Sequence, residues 1–197
     1  MEQTWRATEK AQRREKYLAA AGHLFAERGY RAVSIEELGA AVGVSGPALY
    51  RHFPSKEAML VELLLDSSER LMAGFEATVA EERPDLETLR SLIAFHVDFA
   101  LSERDVIRIQ DRELANLPAE TTHRVREVQR RYIQGWQRIV ARLRPELADP
   151  ELEVRMHAVF GVLNSTPHNA KLDAATDVRC ALGDIALATL IGVVPEH

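Results

Sequence analysis

The chain has 197 residues, of which 46% are hydrophobic and 28% charged, and its formal net charge is −5. This length suits a small domain joined to a larger one with a buried core, and no uncharged apolar run is long enough to cross a bilayer. The single Cys180 excludes an internal disulfide, and without an apolar signal segment at the N-terminus we expect a cytosolic (cytoplasmic) protein.

The first predicted helix spans about residues 9–28, with an inner apolar stripe that includes Leu18, Leu24 and Phe25. Residues 1–60 hold nine Lys and Arg against seven acidic residues, so the N-terminal part is mildly basic while the remainder carries the negative charge. The basic stretch from Arg6 to Lys16 is either an arm for a polyanion or the solvated start of a helix, and the sequence leaves both interpretations open.

The next segment predicts two short helices joined by a tight turn. Ser34 and Glu37 have the spacing of a capping box at the start of the second helix. Gly43 follows its last apolar residue, where a left-handed residue closes a helix at low cost. Ser45 is placed to cap the third helix, and Pro54 ends it. This is the geometry of a helix-turn-helix.

The exposed side of the third helix carries the candidate DNA contacts, because Leu49 and Phe53, four residues apart, face inward. Arg51 is suited to a guanine edge and Ala48 to a thymine methyl group, whereas Tyr50, His52 and Lys56 suit phosphates. The full set of predicted DNA-binding residues is Ser34, Ser45, Gly46, Pro47, Ala48, Tyr50, Arg51, His52 and Lys56.

Residues 13–60 resemble the DNA-binding domain of the TetR family of bacterial transcriptional regulators. The resemblance rests on segments 17–21, 24–30, 34–38, 43–45, 49–53 and 55–57, in that order. One departure is Gly39, where the family often has alanine. The resemblance implies an all-α fold of about nine helices. It divides the chain into a helix-turn-helix domain, residues 1–55, and a helical domain for effector binding and dimerisation, residues 56–197.

The remaining apolar periodicity predicts six further helices, at about 56–80, 86–102, 104–116, 119–143, 151–165 and 174–192. The last helix is apolar nearly all round, so part of its burial is expected to come from a second copy of the chain. The alternative is a helix buried wholly within one copy. The resemblance favours a homodimer formed through the last two helices, which predicts a palindromic operator.

A helical box between the fourth and eighth helices is the candidate effector site. Its predicted lining is Phe95, His96, Phe99, Arg108, Ile109, Arg112, Arg131, Trp136, Phe160 and Asn164. Segments 109–118, 130–136 and 161–167 resemble a TetR subgroup that responds to acyl-CoA thioesters and controls fatty-acid or steroid degradation. Arginines at the mouth of the box would suit CoA phosphates, although a solvated arginine face is an equal alternative for each of them.

Catalytic and metal-binding motifs are not evident. Gly43-Val44-Ser45-Gly46 resembles part of a nucleophile elbow, but Pro47 replaces the second glycine and no strand precedes it. His157 has no partner at metal-ligand spacing. We therefore expect no enzyme activity, no metal and no cofactor. The sequence predicts a transcriptional regulator, a repressor that is released from its operator by a small-molecule effector such as an acyl-CoA. The alternative is a repressor of an efflux gene that senses a hydrophobic, drug-like ligand.

Overall fold

The computed structural model describes residues 2–166 and 176–192, and within these ranges the chain forms nine α-helices and no strand. The helices are α1 (Glu2–Arg28), α2 (Ile35–Ala41), α3 (Gly46–Leu49), α4 (Lys56–Val79), α5 (Asp85–Ser102), α6 (Arg104–Glu113), α7 (Ala119–Leu143), α8 (Asp149–Leu163) and α9 (Thr176–Ile191). The predicted all-α class is confirmed.

The helix boundaries follow local signals closely. α7 matches its predicted range, and Ser55 caps α4 by accepting a hydrogen bond from Ala58 N at 3.0 Å. α1 begins at Glu2, earlier than predicted, and α6 ends at Glu113, where a short 3₁₀ turn continues to Asn116. The predicted start of the last helix, residue 174, lies outside the described residues.

The apolar core consists of two clusters, and α4 contributes residues to both of them. The N-terminal half of α4 places Met59 and Leu60 in a cluster with Phe25, Leu38 and Leu49. Its C-terminal half adds Phe75 to a larger cluster built by α5, α7, α8 and α9. Because one continuous helix belongs to both clusters, α4 is the mechanical link between them. The domain boundary at residues 55 and 56 stays a prediction.

α6 packs against the N-terminal cluster, although the sequence did not indicate it. Ile109 is fully buried in the N-terminal cluster rather than in the larger one. The guanidinium of Arg112 donates to the carbonyl oxygen of Ala26 near the end of α1 at 3.1 Å, and Tyr30 N donates to Glu113 Oε1 at 3.4 Å. α6 is therefore fixed to the N-terminal part along one side.

None of the helices in the described ranges has the combination of length and apolar content needed to cross a membrane.

Candidate nucleic-acid interface and core pocket

The start of α2 has the capping box that the sequence predicts, and the turn that follows α2 has the predicted left-handed glycine. Ser34 Oγ accepts from Glu37 N at 3.2 Å, and Glu37 Oε2 accepts from Ser34 N at 2.8 Å, which completes the capping box. Gly43 adopts a φ of 75°, and Val44 N donates to Gly39 O at 2.9 Å. These contacts fix the direction in which the chain leaves α2 and enters α3.

α3 is shorter than predicted and lacks one predicted cap. Ser45 occupies the N-cap position with extended backbone, but its side chain makes no capping hydrogen bond. The four-residue helix is continued by turn bonds, among them His52 N to Leu49 O at 2.8 Å. The prediction of a Ser45 side-chain cap is therefore wrong, and the Ser45 hydroxyl is left exposed on the outer surface.

The outer surface of α3 is polar and its inner surface is buried. Leu49 and Phe53 are 0% and 1% exposed, as the sequence predicts. Tyr50 is 51% exposed, Pro47 and Arg51 are also exposed, and Ala48 and His52 are half-buried. These side chains stand above a fixed apolar base, so a duplex could approach them without disturbing the core.

Gly46 does not belong to this outer surface. It is buried, and a Cβ added there would lie 3.5 Å from Ile35 Cγ2 and 3.6 Å from the backbone of Glu36. Gly46 is covered by α2 and has no side chain to offer, so its predicted contact with DNA stays a prediction for its backbone.

Lys56 is directed inward as well. Its ammonium donates to the carbonyl oxygens of Tyr30 and Val33 at 2.8 and 2.7 Å and lies 4.4 Å from the centroid of the Tyr30 ring. Two of its three N–H donors are thus used to join the start of α4 to the segment before α2. The predicted phosphate contact of Lys56 has to compete with these bonds.

Arg14 joins α1 to the end of α3 and to α4. Its guanidinium donates to both carboxylate oxygens of Glu62 and to the carbonyl oxygen of His52, and it lies 4.2 Å from the centroid of the Phe53 ring. α1 begins at Glu2, so Arg14 lies well inside a helix. The sequence left two interpretations of the basic stretch from Arg6 to Lys16 open, an arm or the solvated start of a helix. Neither describes the position of Arg14.

A basic neighbourhood surrounds His52 at the end of the outer surface. Burial, followed by the charges of Arg13, Lys10, Arg14 and Arg51, lowers the pKa of His52 from its ordinary value. The charges of Lys10 and Arg13 on α1 therefore act at the same place as that of Arg51 on α3. Sequence reasoning noted these basic residues on α1 but did not place them among the DNA contacts.

The larger cluster contains a buried polar chain of three residues on three helices. His96 Nδ1 lies 3.0 Å from Tyr132 Oη, and His96 Nε2 lies 3.1 Å from Asn164 Oδ1. Burial lowers the pKa of His96 to about 4, although its hydrogen bond to Asn164 acts in the opposite direction. The imidazole is neutral at physiological pH. Burial also raises the pKa of Tyr132, so its hydroxyl stays protonated.

A pocket of about 140 Å³ lies beside the hydrogen-bonded residues His96, Tyr132 and Asn164, between α4, α5, α6, α7 and α8. Its apolar wall is formed by Leu71, Phe99, Val106, Ile107, Ile133 and Phe160. Its polar wall is formed by Ser67, Gln110, Asp111, Gln129 and Asn164. An apolar wall with a few convergent polar groups is typical of a small-molecule site.

The structure brings only part of the predicted effector set to this pocket. Phe99, Phe160 and Asn164 line it, while His96 and Trp136 form the aromatic layer behind it.

The other predicted lining residues lie elsewhere. Phe95 packs on Gly74, Ile109 lies in the N-terminal cluster, and Arg112 contacts the end of α1. Arg131 is exposed beside Glu76, at 3.8 Å, and Arg108 is not part of the pocket wall. Sequence reasoning missed Ser67, Leu71, Gln129 and Ile133, whose four-residue spacing on α4 and α7 was the available signal.

α8 and α9 present apolar and small side chains to the outside. Val154 is 67% exposed and Ile185 is 48% exposed. Ala158 and Gly161 continue the same face of α8 as Val154, and a Cβ added to Gly161 would meet nothing within 4 Å. We call Val154, Ala158, Gly161, Ala181, Ile185 and Ala188 the outer seam.

Comparison with known proteins supports this architecture. Residues 18–63 match the model of bacterial regulatory proteins of the tetR family, and residues 82–168 match the tetracyclin repressor-like C-terminal domain. The transcriptional repressor KstR2 of Rhodococcus jostii is 32% identical over 56% of this chain and 54% of its own length. The chain thus spans about half the length of the curated relatives it matches.

Solved structures share the fold. A TetR-family transcriptional regulator from Bordetella parapertussis superposes with a TM-score of 0.83 at 22% identity, covering 91% of this chain and 95% of that one. AibR, solved in complex with isovaleryl coenzyme A and operator DNA, gives 0.76 at 20% identity over 91% and 98%. The two family models together cover well over half of the sequence. The chain belongs to the TetR family of bacterial regulatory proteins.

Proposed function

We propose that the chain is a transcriptional repressor that binds a palindromic operator as a homodimer and is released from it by an acyl-CoA. The observation that carries the DNA-binding part is the exposure of Tyr50 and Arg51 above the buried Leu49 and Phe53. An exposed polar surface on a short helix that is held from behind is what entry into a major groove requires.

The individual roles follow from chemistry and exposure. Arg51 has the planar donors that pair with a guanine edge, and Ala48 offers a methyl group for contact with thymine. Tyr50, His52 and Ser45, together with the capping turn at Ser34, are placed to bind phosphates, with Lys10 and Arg13 supplying positive charge nearby. Gly46 and Lys56 support this surface from within.

The outer seam is proposed to be the dimer interface. Its exposed small and apolar side chains would allow α8 and α9 of two copies to form a four-helix bundle. A two-fold axis through this bundle would present the two α3 surfaces to one side of a duplex. Half-sites would then lie about 34–36 Å apart along the DNA, which is one helical turn.

The effector is proposed to enter the pocket beside Asn164. AibR, solved in complex with isovaleryl coenzyme A, shares the fold of this chain. In the present chain the exposed Arg126 and Arg130 lie within one helical turn of the pocket residue Gln129 on α7. Guanidinium groups at that position suit the phosphates of CoA.

α6 is proposed to transmit the signal. Its residues Ile107 and Gln110 line the pocket, while Asp105 contacts His23 of α1 at 3.1 Å and Arg112 contacts Ala26. A ligand that pushes on one side of α6 therefore displaces α1 on the other. The effector must bind the DNA-incompetent arrangement more tightly, by a coupling of about 1–3 kcal/mol in typical cases.

Selection from a random double-stranded DNA library tests the proposal. The full chain should enrich a two-fold symmetric sequence whose half-sites are about 10 base pairs apart, centre to centre. A variant carrying Tyr50→Ala and Arg51→Ala, changed only at exposed positions, is the matched control and should enrich nothing. Failure of the wild-type chain to enrich any sequence at low salt would contradict the proposal.

A further inference from the structure

The size of the core pocket limits the part of an effector that can be buried in it. Its volume is about 140 Å³. An engineered apolar cavity of about 150 Å³ holds one benzene molecule, which sets the scale at roughly six carbon atoms. A long fatty-acyl chain has more than twice that number of atoms and would not fit in this space.

The inner end of the pocket is closed by rings that already fill the core. Phe160, on the pocket wall, lies 5.2 Å from Trp136 and 5.2 Å from His96, measured between ring centroids. Trp136 is 0% exposed, and His96 is held by hydrogen bonds at both ring nitrogens. Because a packed interior does not deform continuously, a longer chain could not extend inward without displacing these rings.

The hydrogen bonds of His96 determine which amide atom of Asn164 is already engaged. Asn164 Oδ1 can only accept, so the neutral ring of His96 carries its proton on Nε2 and donates it there, and Nδ1 accepts from Tyr132 Oη. The amide nitrogen of Asn164, which makes no hydrogen bond to the described residues, remains as a donor at the pocket wall. The matching ligand group is a carbonyl oxygen.

The charge of the wall distinguishes a neutral carbonyl from a carboxylate. The described lining contains no Lys, Arg or His, and its charged member is the acidic Asp111. A free carboxylate would therefore find no cationic side chain among the described residues of this wall. A thioester presents the same carbonyl without the charge.

We infer that the effector is a short or branched acyl thioester of about four to six carbon atoms, whose acyl group fills this pocket and whose carbonyl accepts from Asn164. This rests on the proposed function, in which an acyl-CoA releases the operator. The CoA moiety remains outside, on the side of Arg126 and Arg130.

Isothermal titration of the full chain with a series of CoA thioesters tests the inference. Acetyl, butanoyl, isovaleryl, hexanoyl, octanoyl and palmitoyl CoA should give a maximum affinity between four and six carbons, with palmitoyl CoA and free isovalerate at least tenfold weaker. Palmitoyl CoA that binds as tightly as the short thioesters overturns the inference and leaves the proposed function standing. Failure of every thioester to bind a chain that still binds its operator overturns the effector proposal itself.

Single substitutions test whether the acyl group occupies this pocket. Ile133→Ala enlarges the apolar wall and should move the maximum to longer chains, whereas Val128→Ala, on the same helix and outside the wall, should not. Asn164→Ala should weaken all thioesters at least fivefold without moving the maximum. If Ile133→Ala and Val128→Ala give the same chain-length profile as the wild type, the acyl group does not occupy this pocket.

Discussion

A Cβ atom added to Gly39 would lie 2.7 Å from the carbonyl oxygen of Val44. It would also lie 2.9 Å from Gly46 N, so the obstruction is backbone and cannot move aside as a side chain would. In the sequence, Gly39 is a departure from the TetR family, which often has alanine at this position. The structure explains the glycine at position 39, because the turn approaches α2 so closely that only glycine fits there.

The first prediction is that Gly39→Ala destabilises the protein. The better helix propensity of alanine, about 1 kcal/mol, is outweighed by overpacking, so we expect a net loss of about 1–2 kcal/mol in the free energy of unfolding. Urea denaturation measures it. Gly22→Ala is the matched control in α1, because its Cβ would make an ordinary 3.6 Å contact with Leu63, and it should stabilise. Equal effects of the two substitutions would show that the approach to Val44 is not limiting.

The second prediction separates Lys56 from the DNA contacts. Lys56→Met removes an ammonium bonded to two carbonyl oxygens, so we expect a loss of about 1–3 kcal/mol in stability. The salt dependence of DNA binding should stay as in the wild type. Arg13→Ala should do the reverse, with unchanged stability and a salt slope reduced by about one. A reduced salt slope for Lys56→Met would restore its assignment as a phosphate contact.

The third prediction concerns sequence preference. Arg51→Ala should weaken discrimination at one base pair of each half-site by about 1–3 kcal/mol, because the guanidinium is the group suited to a guanine edge. Tyr50→Ala should weaken binding to all sequences alike. Fluorescence anisotropy with a panel of operator variants distinguishes them, and unchanged relative affinities for Arg51→Ala would exclude its role in reading bases.

The fourth prediction places the dimer interface. Gly161→Arg should give a folded monomer that no longer binds the palindrome, because the charged side chain would lie in the middle of the outer seam. Ala77→Arg, at an exposed position of α4, is the control and should remain dimeric. Sedimentation equilibrium measures both. A Gly161→Arg dimer of wild-type affinity would move the interface elsewhere.

The fifth prediction is a pH dependence of stability caused by His96. Its pKa is about 4 in the folded chain, whereas an unfolded histidine titrates near 6.5. The unfolded state therefore binds more protons between these values, so stability is full above about pH 6.5 and falls as the pH decreases towards 4. Between pH 7 and pH 5 the loss should be about 2 kcal/mol.

Denaturant titrations at fixed protein concentration measure this loss. His96→Gln should remove it, and His123→Gln, at an exposed position on α7, should retain it. A pH dependence that survives in His96→Gln would assign the effect to other groups.

The features that were predicted correctly from the sequence are those set by residues close to one another in the chain. The capping box at Ser34, the left-handed Gly43 and the limits of α7 each follow from residues within a few positions of one another. The same is true of the inward direction of Leu49 and Phe53. These features are set by short-range hydrogen bonds and helical period.

The misplaced residues are those whose partners lie far away in the chain. Lys56 bonds to a carbonyl 26 residues earlier, and Arg112 bonds to one 86 residues earlier. Phe95 meets Gly74 rather than the pocket because α4 approaches α5 at that level. Which helix a side chain meets is decided by packing angles, and the apolar pattern of a single helix does not contain that information.

The position of Arg14 has a consequence for how regulators of this kind diversify. Its guanidinium holds α1, α3 and α4 together behind the surface that we propose to face DNA. Rearrangements in the core therefore reposition that unit as a whole and leave its internal shape intact. Substitutions at Tyr50 or Arg51 can then change the target gene, and substitutions around the pocket can change the metabolite that is sensed, without each requiring compensation from the other. The preferred DNA sequence of the protein and its preferred effector can therefore evolve independently.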